Sequence, residues 1–454
     1  MKKRGKIDMT RGPIMPSIMF FALPMIAGNI LQYLYTTVDT LVIGNFCDHT
    51  AIAAVGTSSQ PIEVLLCVFL GIGTGVSILI SQHAGARDLT GIRNACKTAV
   101  SFVYMCGIPV SILGFFATPL ILKIMGVPQD VWDNALLYTR IVLISATGNI
   151  GYNMNAGILR GVGDSKASLG FLAVSCVVNV VLDLVLVAVF GMGVPGVAIA
   201  TGTAMSLSWI VSIIYIRRKY PEFLFSFLPK GIVRKELGKI IRLGLPIGLN
   251  NSLFSLGHMA LQTLINSQGS AFMAGWSVAG RVTGIANMAI TGISAAATTY
   301  SGQNFGAGRI DRLREGRLMI PFASGAITLF FGLFFILVRM PILSLFTKDR
   351  EVLLFAGRNV MIMLSCQWMY AVFNVISCII NGTGRVKYTT VINLLMLWAV
   401  RIPAAILISL FWDSRLIMLC FPVSFGFGLL CMLAYYAFSP SWKALMERGS
   451  AYDK

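Results

Sequence analysis

Residues 16–43 read PSIMFFALPMIAGNILQYLYTTVDTLVI, twenty-eight positions with no Lys, no Arg and a single acid, Asp39. A helix needs roughly 20 apolar residues to cross the hydrocarbon of a bilayer. The run is long enough to span, and too long for the short apolar region of a cleavable signal peptide that the basic stretch Met1–Pro13 before it would otherwise suggest. It also lacks the ten-residue alternation of a barrel strand. Where lipid is the solvent every backbone group needs an internal partner, so a run of this kind is a helix.

Eleven more such runs follow, at 51–80, 94–122, 133–159, 168–190, 195–216, 240–265, 271–300, 318–340, 352–380, 388–410 and 416–438. The composition agrees. Of 454 residues 56% are hydrophobic and 12% charged, with a mean hydropathy of +0.78. Soluble chains carry about 25% charged residues, so there are too few here to cover water-facing surfaces. The expected class is an all-α, twelve-span membrane protein.

The net charge of +18 does not point to a nucleic-acid partner, because the charges sit in short clusters between apolar runs. With the N-terminus inside, 27 Lys and Arg fall in inside segments or at the inner ends of spans, 5 in outside loops or at outer span ends, and 4 deeper within spans. That bias is the topology signal of a membrane protein, and it expects both termini in the cytoplasm. The nine cysteines form no CxxC pair and lie mostly in apolar runs, where they read as small buried hydrophobes.

Landmarks recur at nearly one spacing, 222 residues for the first set and 221 for the other two. Leu23-Pro24 in span one returns as Leu245-Pro246 in span seven, and Gln82, Gly85 and Ala86 after span two return as Gln303, Gly306 and Ala307 after span eight. Gly161, Gly163 and Lys166 after span four return as Gly382, Gly384 and Lys387 after span ten. The chain therefore divides into a segment 1–13, a first lobe 14–216, a linker 217–239, a second lobe 240–438 and a tail 439–454. Six spans per lobe make the repeat parallel, related by a two-fold along the membrane normal, as in transporters that open a cleft to each face in turn.

Charges inside spans are costly and tend to be functional. The first lobe has Asp39, Glu63, Arg140 and Asp183; the second has no spanning carboxylate, only Arg281, Arg358 and Arg401. Tyr35 precedes Asp39 by four residues and Asn179 precedes Asp183 by four, so each pair shares a helix face. Two carboxylates facing each other away from water repel and lose hydration, which favours uptake of a proton or of Na⁺. The competing expectation is a structural role in capping or tethering neighbouring helices. Glu63, just after Gln60-Pro61, could draw a cationic compound or pair with an Arg. The four spanning arginines lie near span ends, where snorkelling to the interface is the plain expectation, and Arg401 beside Pro403 fits it least well.

Met154, Trp276, Met288, Gln367, Trp368, Tyr370, Phe373 and Asn374 are candidates to line an adaptable substrate cleft, against the plainer expectation of packing. His258, near Gln262, reads as a satisfied buried histidine. Gly191, Gly193 and Gly196 match GxGxxG but follow no strand, which excludes a dinucleotide site. No GxxxxGK[ST] or HExxH motif occurs. No enzyme activity, metal centre or cofactor is expected, and energy would come from an ion gradient.

Taken together, Phe21-Ala22-Leu23-Pro24, Val38-Asp39-Thr40-Leu41-Val42-Ile43-Gly44, Gln82-His83-Ala84-Gly85-Ala86, Leu159-Arg160-Gly161-Val162-Gly163-Asp164, Asn179-Val180-Val181-Leu182-Asp183 and Gly196-Val197-Ala198-Ile199-Ala200-Thr201 resemble the MATE (multidrug and toxic compound extrusion) exporters over the whole length. The resemblance is to the DinF-like branch. It implies cation coupling through Tyr35, Asp39, Asn179, Asp183 and Thr201, with the bend at Pro24 as part of the switch. The other main branch uses carboxylates of the second lobe; here Asn374 stands in span ten and span seven has no acid. The family implies a V-shaped monomer in the bacterial inner membrane that exchanges H⁺ or Na⁺ for an amphipathic, cationic compound. A lipid-linked saccharide flippase of the same broad fold is the nearest competitor, disfavoured by the few cations within spans. A membrane receptor or channel, from another class, needs neither a duplicated half nor a carboxylate pair.

Overall fold

The computed structural model describes residues 6–412 and 414–447. Lys2, Lys3, Arg4, Arg448 and Lys454, counted among the inside charges, lie outside the described residues. Every regular element among them is helical. The first six-span half is α1 (Ile14–Phe46), α2 (His49–Gly85), α3 (Leu89–Ile124), α4 (Gln129–Ile144), α5 (Ala146–Gly161), α6 (Ser165–Asp183) with a π-helical extension Leu184–Val189, and α7 (Val194–Lys219). The second is α8 (Arg234–Asn266), α9 (Ser270–Gly306), α10 (Ile310–Leu337), the short α11 (Arg339–Leu343), α12 (Arg350–Gly382), α13 (Val386–Leu394), a π-helical Leu395–Arg401, α14 (Ile402–Phe411), α15 (Cys420–Phe438) and the short α16 (Pro440–Glu447).

Nine described elements are long and apolar enough to cross a membrane by length and composition. The α4–α5 pair, α8 and α9 occupy the other three expected positions, which brings the spans to twelve. Span four differs from expectation in being broken at Ser145, whose backbone leaves the ideal helix (φ −82, ψ 0). The break lies where α7 comes close: a Cβ added to Gly202 would stand 2.6 Å from Ser145 Oγ, and one added to Gly148 would stand 2.4 Å from Ser206 Oγ. Small residues on both sides set that approach.

The repeat is written in the backbone as well as in the letters. Arg87 (φ 56) and Gly308 (φ 70) take the left-handed conformation one repeat apart, as do Gly163 (φ 93) and Gly384 (φ 88). The GxGxxG glycines are explained in the same way, since Gly191 (φ 64) and Gly193 (φ 60) turn the chain from the π-helical segment into α7.

By its contacts the chain forms two compact units: residues 27–252, and Asp8–Ile26 with the chain from Leu253. The cut passes through α1 after Ile26 and through α8 after Ser252, so each proline-bearing helix contributes to both units. Within the first unit, α2 meets the first part of α8 at backbone distance; a Cβ on Gly71 would lie 2.1 Å from the Gly248 nitrogen, and one on Gly75 2.6 Å from Gly244 Cα. Buried Asp164 caps α6 by accepting from the Ala167 amide at 3.3 Å, and its other oxygen takes Lys219 at 2.8 Å and the Tyr220 hydroxyl at 2.8 Å, which ties the start of α6 to the end of α7.

Candidate cation-coupling site

The first unit gathers the acidic candidates. α1 carries Tyr35 and Asp39 one helical turn apart, α6 carries Asn179 and Asp183 in the same spacing, and α7 carries Thr201. Asp39 lies in direct electrostatic contact with Asp183, with Asn179 and Tyr35 alongside. Tyr35 in turn adjoins Thr201. Asn179 and Asp183 are each 0% exposed and Tyr35 is 9% exposed, so bulk water does not reach the middle of the set. All five residues expected to couple a cation therefore share one chamber.

Their polar atoms are left open. Asp39 Oδ1, both oxygens of Asp183, both amide atoms of Asn179 and Thr201 Oγ1 are buried without a hydrogen bond of ordinary geometry, although Asp39 lies within pairing reach of Asp183, Asn179 and Tyr35, and Tyr35 of Thr201. Among the described residues neither carboxylate makes an ion pair. Buried polar atoms are ordinarily satisfied, so a cluster of five orphaned oxygens and one amide nitrogen on three helices marks a place meant for something else. Oxygen-only donors with two carboxylates suit a proton, with or without water, or a hard monovalent cation such as Na⁺. A cavity of about 20 Å³ beside Thr201, lined by Leu66, Ser145, Asn149 and Met205, has room for about one water.

Tyr138 of α4 is a further member. It is 9% exposed and adjoins both Asp39 and Asp183. Nothing in the sequence set it apart from other span aromatics. On one side the chamber is closed by an apolar cluster that includes Val42, Ile43, Ile62, Val187 and Val197, which keeps the carboxylates in a medium where an uncompensated charge is costly.

The remaining candidates are divided between the two units. Glu63 is exposed on α2, and Met154 is 1% exposed within α5, both in the first unit. Trp276, Met288, Gln367 and Asn374 belong to the second unit. There Gln367 donates to Asn287 Oδ1 at 2.7 Å, Ser294 donates to Asn374 Oδ1 at 2.6 Å, and Trp276 Nε1 donates to Gln262 at 2.9 Å. Arg140 stacks on Phe115 at 4.7 Å. The snorkelling expected of the spanning arginines fails for Arg401, which is 1% exposed and held among aromatic rings.

The MatE family model matches residues 24–185 and again residues 246–407. The chain belongs to the MATE family. The two matched stretches begin at Pro24 and Pro246 and are offset by 222 residues at both ends, the spacing already carried by the Leu-Pro landmarks. Among relatives, the probable multidrug resistance protein YoeA of Bacillus subtilis is 29% identical over 94% of both chains. The probable multidrug resistance protein YpnP of the same organism is 27% identical over 96% of this chain and 98% of its own. A crystal structure of MATE in the bent conformation superposes with a TM-score of 0.89 at 22% identity, covering 99% of this chain and all of that one. The chain is thus a multi-span transporter with the twelve-span MATE fold.

Proposed function

We propose that this MATE transporter is an antiporter that admits H⁺ or Na⁺ to Asp39 and Asp183 and uses it to drive export of amphipathic, cationic compounds. The observation that carries this is buried Asp183 beside half-buried Asp39, neither in an ion pair among the described residues, with unpartnered oxygens of Asn179 and Thr201 close by. A cation bound there lowers the cost of the chamber in one access state more than in the other, and only such a difference can move the equilibrium. Pro24 lies inside α1, fifteen residues before Asp39 on the same helix, so α1 carries both the expected bend and the first carboxylate. The similarity to the probable multidrug resistance proteins YoeA and YpnP supports multidrug compounds as substrates. The working form is a monomer in the bacterial inner membrane with both termini in the cytoplasm.

The test is drug resistance in cells that lack their own exporters. Asp183→Asn should be produced and inserted at wild-type levels yet give no more resistance than empty vector. Full resistance in that variant would remove Asp183 from the mechanism.

A further inference from the structure

The second unit buries a charge of the opposite sign among the equivalent spans. This is Arg401, the last residue of the π-helical segment in span eleven, at 1% exposure. The guanidinium lies 4.6 Å from the Phe421 ring centre, 5.2 Å from Phe425 and 5.6 Å from Phe254. Its Nε donates to Ser424 Oγ at 3.0 Å, and Nη2 is buried with no partner. His258 and Tyr370 are also within its electrostatic reach. Among the described residues no carboxylate pairs with it.

Aromatic faces offset part of a cation's charge, but they supply no lone pair for a guanidinium N–H and leave a net charge behind. A fully buried, net-positive arginine within a membrane span is among the costliest features a fold can keep, and it persists where a counter-charge is supplied. The repeat identifies what kind of place this is. At the 222 residues that separate the two matched stretches Arg401 falls on Asn179, and at the 221 of the nearer glycine landmarks on the adjacent Val180, so it sits at or beside the position of Asn179 in the repeat. Its neighbours come from spans seven (Phe254, His258), ten (Tyr370) and twelve (Phe421, Ser424, Phe425), the repeat equivalents of the spans that give Tyr35, Asp39, Tyr138 and Thr201 to the acidic chamber. Both charges also border a π-helical segment: Asp183 immediately precedes one and Arg401 ends the other. Such segments are uncommon and collect at functional sites.

We infer that the Arg401 chamber of the second unit is an anion site, the charge-reversed counterpart of the cation chamber, and that it takes a small monovalent anion. The free Nη2 donor and the apolar walls select a weakly hydrated, singly charged group, either a halide or the carboxylate of an organic anion, over strongly hydrated sulfate or phosphate. The argument from the repeat rests on the coupling proposal, but the buried, unpartnered Nη2 does not, and no residue of the acidic chamber takes part in the site.

The test uses the full-length protein purified in detergent. Thermal unfolding is followed while sodium chloride or sodium benzoate replaces sodium sulfate at constant ionic strength. A saturable rise in Tm with chloride assigns a halide, and a saturable rise with benzoate alone assigns a carboxylate; either supports the site. The response should vanish in Arg401→Met and require roughly tenfold more anion in Arg401→Lys, which keeps the charge but loses the planar fork. It should persist in Asp183→Asn; its loss there would tie the effect to the acidic chamber and overturn the assignment. Arg401→Met exchanges a buried charge for an apolar side chain of similar length and is expected to fold. Should it not fold, the wild-type titration still decides. A wild-type Tm that responds saturably to neither anion, or a response that survives in Arg401→Met, overturns the site.

Discussion

At the scale of the residue, the account rests on what a few polar atoms lack. Asp39 and Asp183 were legible in the sequence because an acid inside a long apolar run stands out, and because Tyr35 and Asn179 one turn earlier mark the face each acid uses. Tyr138 was not legible, since its role comes from the way α4 meets α1 and α6 and not from any local pattern. Nor was the burial of Arg401, because an arginine near a span end can reach the interface unless rings brought from other helices enclose it. Thr201→Val, which removes an unpartnered hydroxyl and keeps the shape, should lower apparent cation affinity and leave the fold intact; the check is the cation dependence of transport beside thermal stability. An ordinary cap gives a contrast. Asp88 begins α3, accepting from the Gly91 amide at 2.8 Å with His83 at 2.9 Å. The Gly91 amide, helped by His83, holds the Asp88 carboxyl below its usual range. Stability from a depressed carboxyl is complete above the ordinary range near ~4 and is lost as pH falls through the lowered value. Asp88→Ala should therefore cost about 1 kcal/mol at neutral pH, as a lost N-cap does, and the difference from wild type should shrink in acid; unfolding at two pH values measures it.

At the scale of the element, the spans were readable almost to their ends because apolar run length alone decides a crossing helix. Their interruptions were not. The π-helical Leu184–Val189 and Leu395–Arg401 are made of residues that an α-helix would accept equally well, and the break at Ser145 depends on α7 approaching through Gly202. Close approach also governs α2 and α8. A methyl group at Gly71 would sit 2.1 Å from a backbone nitrogen, which no rotamer change can relieve. Gly71→Ala should therefore destabilise the first unit by about 1–3 kcal/mol or displace α8, the range for overpacking a tight contact. Gly170→Ala, where nothing lies within 4 Å, serves as the control. Equal Tm values for the two variants in detergent would contradict the α2–α8 packing.

At the scale of the whole molecule, duplication was visible in the letters as three sets of landmarks at nearly one spacing, and it returns in the left-handed turns at Arg87 and Gly308 and at Gly163 and Gly384. Twelve spans in two similar halves follow from that repeat and from the family match to both halves. The division of labour between the halves was only partly legible. Composition put the spanning acids in one half alone and most spanning arginines in the other, but only packing shows that equivalent spans enclose Asp183 in one half and Arg401 in the other. Under the coupling proposal a transmembrane cation gradient acts on the acidic chamber, and the most direct measurement is efflux from proteoliposomes. The purified transporter is reconstituted, loaded with a fluorescent cationic dye, and given either a pH gradient or a Na⁺ gradient. The wild type should move dye in response to one of the two, and Asp183→Asn should move it in response to neither. Gradient-driven efflux by Asp183→Asn at the wild-type rate, or a wild type indifferent to both gradients, would contradict cation coupling through Asp39 and Asp183.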